Sequence, residues 1–468
     1  MFTKVLIANR GEIAVRVARA CRELGVRSVA VHSTPDKDSA VVQLADEAIR
    51  IGPAAPAKSY LNAAAVLEAA AQSGADAIHP GCGFLSESPD FADACLARGV
   101  TLIGPPPSVM ARLGDKTSAR ALMRRADLPL LPGSVQALDP HAAEELARRI
   151  GFPVIVKAAA GGGGRGMTVV DDADRFAEEY RQTQAMAQML FGDGRVYVEK
   201  YLPKARHVEV QVLCDGHGRA VHLGERDCTV QRRHRKLIEE TPAPALPEGL
   251  AERMGRSAVE GALAAGYTGV GTFEFLLAPD GSYYLMEVNC RIQVEHPVTE
   301  MATGIDLVQQ QLKVAAGNAL ELAQTDIQLR GAAIECRINA EDPAAGFVPA
   351  PGPVERLVLP GGPFVRGDTH VRQGDVIPPH YDSLLAKLVV RAPRRDEAIA
   401  RMLRALDEFE VSGPGIKTTR AFLAEVLSHP RFRAAEHYLA GRRPVVGKSL
   451  KIGSHAKNGF AFPGKGNI

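Results

Sequence analysis

A chain of 468 residues is too long for one ordinary core and fits roughly two to four domains. Hydrophobic residues at 46% and charged residues at 24%, with 56 Lys plus Arg against 54 Asp plus Glu, describe a packed globular protein of net charge +2 and exclude a nucleic-acid or anionic-membrane surface as its organising feature. Seven scattered cysteines without a CxxC pair exclude a disulfide framework and a zinc site; no signal-like start and no apolar run of about 18 residues is present, so the expected location is cytoplasmic.

The first hundred residues alternate short apolar runs with helical patterns. Strands are expected at 5–8, 28–31, 75–79 and 101–104. Between the first two, Ile13, Val17, Cys21 and Leu24 recur at helical spacing and Gly25 follows as a stop. Strand, helix, strand in this order predicts a parallel sheet with crossover helices, an α/β arrangement. Pro105-Pro106-Pro107 marks a boundary. From 131 to 203 a small unit is expected: a helix at 140–150, strands at 153–157, 167–170 and 196–199, a glycine-rich turn and a long polar helix. Residues 205–290 read as an antiparallel sheet, with Asp280-Gly281 turning between strands 272–277 and 283–288. A further mixed domain opens at 333–338 and ends near Arg443, and 451–468 is an unpatterned tail.

The glycine run Gly161-Gly162-Gly163-Gly164-Arg165-Gly166 lies between two strands, so neither a Walker A loop nor a dinucleotide fingerprint, which both need a helix behind the loop, applies. Gly447-Lys448-Ser449 has the wrong upstream spacing for a Walker A loop as well. Two readings of the run stay open: a flexible structural hairpin, or a cover whose N–H groups close over phosphates. Lys157, ending the incoming apolar strand, needs an anionic partner and favours the second. The basic run Gln231-Arg232-Arg233-His234-Arg235-Lys236 reads, on charge alone, as a solvated loop.

In 287–295 the odd positions are Glu287, Asn289, Arg291, Gln293 and Glu295, and the even ones Val288, Cys290, Ile292 and Val294. An extended chain would bring all five polar groups to one face. Glu274 and Glu287 are positioned to meet across the hairpin and hold a hard cation beside phosphates. His207, Glu209 and Gln211, and Glu335, Arg337 and Asn339, alternate in the same way. An ordinary solvated sheet face explains one such strand; together they point to a polar cleft floored by a sheet.

Over nearly its whole length the sequence resembles the biotin carboxylase family of ATP-grasp enzymes. The resemblance is carried by Ile7-Ala8-Asn9-Arg10-Gly11-Glu12-Ile13-Ala14, His79-Pro80-Gly81-Cys82-Gly83-Phe84-Leu85-Ser86-Glu87, Gly114-Asp115-Lys116 and the glycine loop. It continues in Glu225-Arg226-Asp227-Cys228, Gln231-Arg232-Arg233-His234, Arg291-Ile292-Gln293-Val294-Glu295-His296-Pro297-Val298-Thr299-Glu300 and Glu335-Cys336-Arg337-Ile338-Asn339-Ala340-Glu341-Asp342. It implies an α/β (overall α+β) fold with a Rossmann-like N-terminal domain at 1–114, an ATP-grasp domain at 115–332 with a mobile lid at 131–203, a biotin carboxylase C-terminal domain at 333–447 and a mobile tail at 448–468.

The resemblance further implies that Lys116, Lys157 and His207 contact ATP. Glu199, Lys200, Tyr201 and Leu202 would lie at the adenine end, His234 near the ribose and phosphates, and Gly163 and Gly164 in the lid loop. Glu274, Glu287 and Asn289 would ligate Mg²⁺ (or Mn²⁺). Lys236, Arg291 and Val294 would hold bicarbonate, with Glu295 as general base and Arg337 facing biotin. The implied activity is ATP-dependent carboxylation of biotin, through carboxyphosphate, on a biotin carboxyl carrier protein. The chain would act as a homodimer beside carboxyltransferase subunits, in a multisubunit acyl-CoA carboxylase with acetyl-CoA the expected acceptor. The competing readings are another ATP-grasp ligase and a non-catalytic nucleotide-binding protein that regulates a partner. Two departures from the family pattern stand out: Cys82 where tyrosine is usual, and Cys290 where threonine is usual.

Overall fold

The computed structural model describes residues 1–161 and 164–439. Near the N-terminus, β1 (Lys4–Ile7), β2 (Arg27–Ser33), β3 (Glu47–Gly52), β4 (Ala77–His79) and β5 (Thr101–Leu102) form a parallel sheet in the order β3-β2-β1-β4-β5. Val5 and Ile7 pack with Ile13, Val17 and Cys21 of helix Gly11–Glu23 on one face; Leu6 packs with Val66, Leu67 and Phe91 on the other. Burial on both faces is why β1 reads as a continuous apolar run. β3 was not among the expected strands. It is an edge strand with only Ile51 buried, which leaves little apolar signal.

The small unit expected at 131–203 contains a three-stranded antiparallel sheet in which β6 (Val154–Ala158) lies between β7 (Met167–Val170) and β8 (Val196–Lys200). Helices Pro140–Ile150 and Phe176–Phe191 seal it through Ala143, Ala147, Phe176, Tyr180 and Ala187. The first begins where Asp139 accepts the N–H groups of His141 and Ala142, with Pro140 in the first turn.

The largest sheet has eight antiparallel strands: β9 (Arg206–Cys214), β10 (Ala220–Arg232), β11 (Arg235–Thr241), β12 (Gly269–Leu277), β13 (Tyr283–Asn289), β14 (Ala332–Asn339), β15 (Val365–Thr369) and β16 (Leu384–Ala392). Their order is β13-β12-β9-β10-β11-β14-β16-β15. Val208, Val210 and Val212 of β9 pack with Phe273, Phe275 and helix Leu250–Ala265. Helix Arg395–Glu408 covers β14 and β16 through Ile399, Met402 and Leu406. Because β11 pairs with β14, one sheet continues across residue 332 and carries side chains from both halves of the chain into one cleft.

Two expectations are corrected here. The segment 287–295 is not one extended strand: β13 ends at Asn289, and Glu295 caps helix His296–Thr303, whose first turn contains Pro297. The basic run at 231–236 is a solvated loop only at its middle, where Arg233, His234 and Arg235 are exposed. Arg233 (φ 48°) and His234 (φ 63°) form a two-residue turn between β10 and β11, and Lys236 is drawn into the cleft.

Candidate active site

A cavity of about 1130 Å³ opens between the three-stranded sheet and the large sheet. Its walls include Lys116, Lys157, Gly164, Lys200, Tyr201, Leu202, His207, His234, Lys236, Glu274, Glu287, Asn289, Arg291, Val294, Glu295 and Arg337. Gly163 lies outside the described residues. Glu199 does not line the cavity; its buried carboxylate pairs with Arg120 and, at 2.6 Å, with Lys157. The glycine loop comes so close to its surroundings that side chains would not fit. A Cβ on Gly161 would fall 2.4 Å from the Phe191 ring, and one on Gly164, at φ +73°, 2.2 Å from the His234 imidazole.

At one end of the cavity, Glu274 and Glu287 are direct partners across β12 and β13. Glu274 accepts hydrogen bonds from Lys236 (2.9 Å), Asn289 (2.9 Å) and Gln293 (2.8 Å), while Lys116 donates to Glu287. Two lysine ammonium groups thus neutralise the paired carboxylates. This donor set suits a hard divalent cation: two carboxylates close by register, beside an amide whose oxygen, now accepting from Arg291 at 3.1 Å, would turn inward to ligate. A second group, His207, Glu209 and Glu274, has ligand atoms within 4.8 Å of one another, but Lys236 already supplies positive charge there, 2.5 Å from Glu209 and 2.9 Å from Glu274.

His207 receives a hydrogen bond on Nδ1 from Gln231 (2.7 Å) and directs Nε2 toward Glu274 at 3.1 Å. Burial opposes its charge, but Glu274 more than offsets that and the imidazole pKa is raised.

Farther along the cavity Lys236 bridges three carboxylates, reaching Glu295 at 2.5 Å as well as Glu209 and Glu274. Burial disfavours the ammonium, yet the three acids hold its pKa well above the usual lysine range. Glu295 divides its oxygens: one accepts from Lys236, the other from Arg337 at 2.8 Å. Burial would raise its pKa, but Lys236, Arg337 and Arg226 outweigh burial and hold it well below the carboxylate range. Arg291 is anchored by Glu87 at 2.9 Å, and Glu87 also receives the Cys290 N–H at 3.1 Å. Arg291, Gln293 and Glu295 therefore reach the site from a loop and a helix cap, not from the extended strand their alternation predicted.

Beneath these groups lies Arg226, wholly buried. It bonds Glu209 (2.7 Å), Gln211 (2.8 Å), Thr299 (2.9 Å) and Gln293 (2.9 Å), tying β9, β10 and the 290–303 segment together. On the other two alternating strands, β9 and β14, His207, Arg337 and Asn339 open into the cavity, whereas Glu209, Gln211 and Glu335 are buried under it. Sequence reasoning gave no role to Arg226, Glu87 or Glu239: Arg226 and Glu87, the latter in a turn, were marked only as parts of stretches that carry the family resemblance, and Glu239 only as a charged residue within β11. Cys82 is half-buried outside the cavity lining with its carbonyl held by Asn9 (3.0 Å), and burial pushes its thiol up to about 11. Cys290 is buried in the apolar core beneath β12 and β13, yet it also borders the cavity, so the expectation that it faces away from the cleft does not hold in full.

Family models match three consecutive parts of the chain: biotin carboxylase, N-terminal domain, over 1–110; carbamoyl-phosphate synthase L chain, ATP binding domain, over 115–323; and biotin carboxylase C-terminal domain over 335–440. Among relatives, biotin carboxylase of Nostoc sp. is 50% identical, with 92% of this chain and 96% of that protein aligned. Biotin carboxylase of Haemophilus influenzae is 51% identical, over 94% of this chain and 98% of that protein. A crystal structure of biotin carboxylase from Campylobacter jejuni superposes with a TM-score of 0.91 at 46% identity, covering 94% of this chain and 97% of that one. The biotin carboxylase domain dimer of Hydrogenobacter thermophilus 2-oxoglutarate carboxylase, in complex with MgADP, ADP and bicarbonate, superposes with a TM-score of 0.88 at 45% identity, over 93% and 95%.

Proposed function

The chain belongs to the biotin carboxylase family, and from that premise we propose that this cavity carboxylates biotin with ATP and bicarbonate, giving carboxybiotin, ADP and phosphate. The observation that carries the site assignment is the contact set of Glu295: one oxygen on Lys236 and the other on Arg337, in the cavity that also holds Arg291.

In this reading Lys116, Lys157 and His207 face the phosphates of ATP. Lys200, Tyr201 and Leu202 border the adenine, and His234 with Gly164 closes over the chain of phosphates. Glu274, Glu287 and Asn289 would hold Mg²⁺ (or Mn²⁺), which supplies charge neutralisation at the transferred phosphoryl group. Arg291 and Lys236, with the Val294 backbone, hold bicarbonate against that phosphoryl group, and Glu295 takes its proton.

A carboxylate held far below its normal range is a poor base, and the contacts of Glu295 resolve that difficulty. When Lys236 turns to the bicarbonate and phosphoryl oxygens and Arg337 to biotin, Glu295 loses the countercharges that depress its pKa and gains proton affinity. The carboxyphosphate formed then releases CO₂ and phosphate. Phosphate removes the ureido N1 proton of biotin, and Arg337 stabilises the ureido oxyanion. Closure of the glycine loop excludes water from the intermediate.

We further propose the division 1–114, 115–332 with a lid at 131–203, and 333–447; residues 440–447 and the expected tail at 448–468 lie outside the described residues. It is supported by the end of the parallel sheet at Leu102 and by the three matched family regions. We propose a biotin carboxyl carrier protein and carboxyltransferase subunits as partners, and a homodimer, an arrangement named for the Hydrogenobacter domain. Acetyl-CoA is the proposed final acceptor. Among the described residues no helix is long and apolar enough to cross a membrane; the proposed location is the cytoplasm. The deciding experiment is ATP hydrolysis by the purified chain with bicarbonate and free biotin each supplied or withheld. The proposal expects dependence on bicarbonate and stimulation by biotin; hydrolysis indifferent to both would return the chain to another ATP-grasp ligase.

A further inference from the structure

Behind Arg337 the sheet carries two acids that the proposed reaction does not use. Glu239 of β11 and Glu335 of β14 are direct register partners, and both are fully buried. Glu239 turns one oxygen to Arg337, 2.7 Å from Nε and 2.6 Å from Nη2. Its other oxygen and both oxygens of Glu335 have no hydrogen-bond partner among the described residues. Three orphan carboxyl oxygens at one place in the interior need a reason, since directly opposed like charges repel and buried acceptors require donors.

We propose that Glu239 is a positioning residue that fixes Arg337 from the side away from Glu295, and that Glu335 carries a proton that holds this buried acidic pair to one negative charge. The inference rests on the reading of Arg337 as the group that meets biotin. Arg337 lies between two carboxylates, Glu239 and Glu295. With Glu335 ionised as well, the guanidinium would face three negative charges and would be held too firmly to turn toward a developing ureido oxyanion. With Glu335 neutral, Glu239 keeps the planar fork anchored while Glu295 is exchanged for substrate.

The surroundings agree. Burial pushes Glu335 well above the carboxylate range, Lys387 opposing and Glu239 adding to the rise. Burial likewise raises Glu239 to about 7 against the pull of Arg337. The charged groups that face the pair are Arg337 of β14, Lys236 of β11, Lys387 of β16 and Glu295 at its helix cap, with the Cys228 and Cys336 thiols beside them.

The test joins kinetics with a vibrational signature. In ATP hydrolysis driven by free biotin, Glu239→Gln is expected to lower kcat roughly ten- to a hundredfold while the KM for ATP moves less than about twofold. Combined with Arg337→Lys, it is expected to add little to the loss of the arginine variant alone. Fully additive losses would overturn the positioning role. Wild-type turnover by Arg337→Lys would remove the reading of Arg337 beneath it, so the two failures are distinguishable. Independently of any Glu239 variant, infrared spectra at neutral pH are expected to lose a protonated carboxylic-acid carbonyl band in Glu335→Gln relative to the wild type. No band lost means that Glu335 is ionised and the proposal is wrong.

Discussion

Glu274 and Glu287 face each other across β12 and β13, yet their carboxylates are taken by different lysines, Lys236 and Lys116. If Glu274 and Glu287 hold magnesium as proposed, the ion would supply the charge that Lys236 and Lys116 now give, and both ammonium groups would be free for phosphate oxygens. Glu287→Gln removes one hard ligand and frees Lys116. Its apparent magnesium affinity in the ATP hydrolysis assay is expected to fall at least about tenfold. A magnesium titration that superposes on the wild type would take Glu287 out of the ligand set.

Glu295 is depressed in the free site, so the sign of its pH dependence is fixed. A carboxylate whose folded pKa lies below its unfolded value stays ionised through the working range and loses its stabilising contribution only as pH falls through the folded pKa. Protonation of Glu295 in the free enzyme therefore does not produce an acid limb near neutrality. Glu295→Gln is expected to lower bicarbonate-dependent turnover about a hundredfold or more, with nucleotide affinity nearly unchanged. Measured nucleotide dissociation constants and single-turnover rates separate the two effects, and a fully active variant would refute the base assignment.

Arg337 touches Glu295 and Glu239, and neither of these carboxylates is assigned to the nucleotide. Arg337→Ala is therefore expected to cost about a hundredfold or more in biotin carboxylation while leaving ATP binding near wild type. Biotin-dependent turnover and nucleotide titration on the same preparation check both halves.

Alternation made much of this architecture legible. Val208, Val210 and Val212 against His207, Glu209 and Gln211 fixed the faces of β9, and Asp280-Gly281 fixed the hairpin that joins Glu274 to Glu287. The same rule failed at 291–295, where the residues reach the cleft from a loop and a helix cap, a geometry set by Pro297 and the buried Arg226 rather than by side-chain period. Glu239 and Glu335 were illegible as a pair because their meeting depends on the register of β11 with β14, strands far apart in the chain. β3 was missed for the opposite reason: an edge strand with one buried residue carries little apolar signal.

His79 links stability to pH. Its Nδ1 accepts the Gly81 N–H at 3.0 Å, which requires the neutral ring, and burial lowers its pKa to about 4. The unfolded chain binds this proton near pH ~6.5. The folded state therefore keeps the full contribution above that pH and loses it as pH falls toward about 4. The loss amounts to roughly 3 kcal/mol from this residue. His79→Asn is expected to be less stable than the wild type at neutral pH, with the gap in Tm narrowing on acidification. A gap independent of pH would assign the effect to packing instead.

Lys387 of β16 ties the N-terminal helix to the loop that carries Glu295. Its ammonium is fully buried, pairs with Glu12 of the N-terminal helix at 2.9 Å and donates to the Val294 carbonyl at 2.9 Å, one residue before Glu295. Burial disfavours its charge, but the carboxylates around it, Glu12 first and then Asp368, keep it ionised. Lys387→Met would leave Glu12 as an unpaired buried carboxyl and is expected to destabilise the fold by about 3–5 kcal/mol, because breaking one side of a buried pair strands the other. Adding Glu12→Gln removes the stranded charge, so the double variant is expected to regain much of that stability while the Val294 carbonyl still lacks its donor. The two effects then separate in the measurements: unfolding midpoints report the charge pair, and the KM for bicarbonate reports the loop. A double variant no more stable than Lys387→Met would mean that the methylene stem of Lys387, not its ion pair with Glu12, holds these elements together.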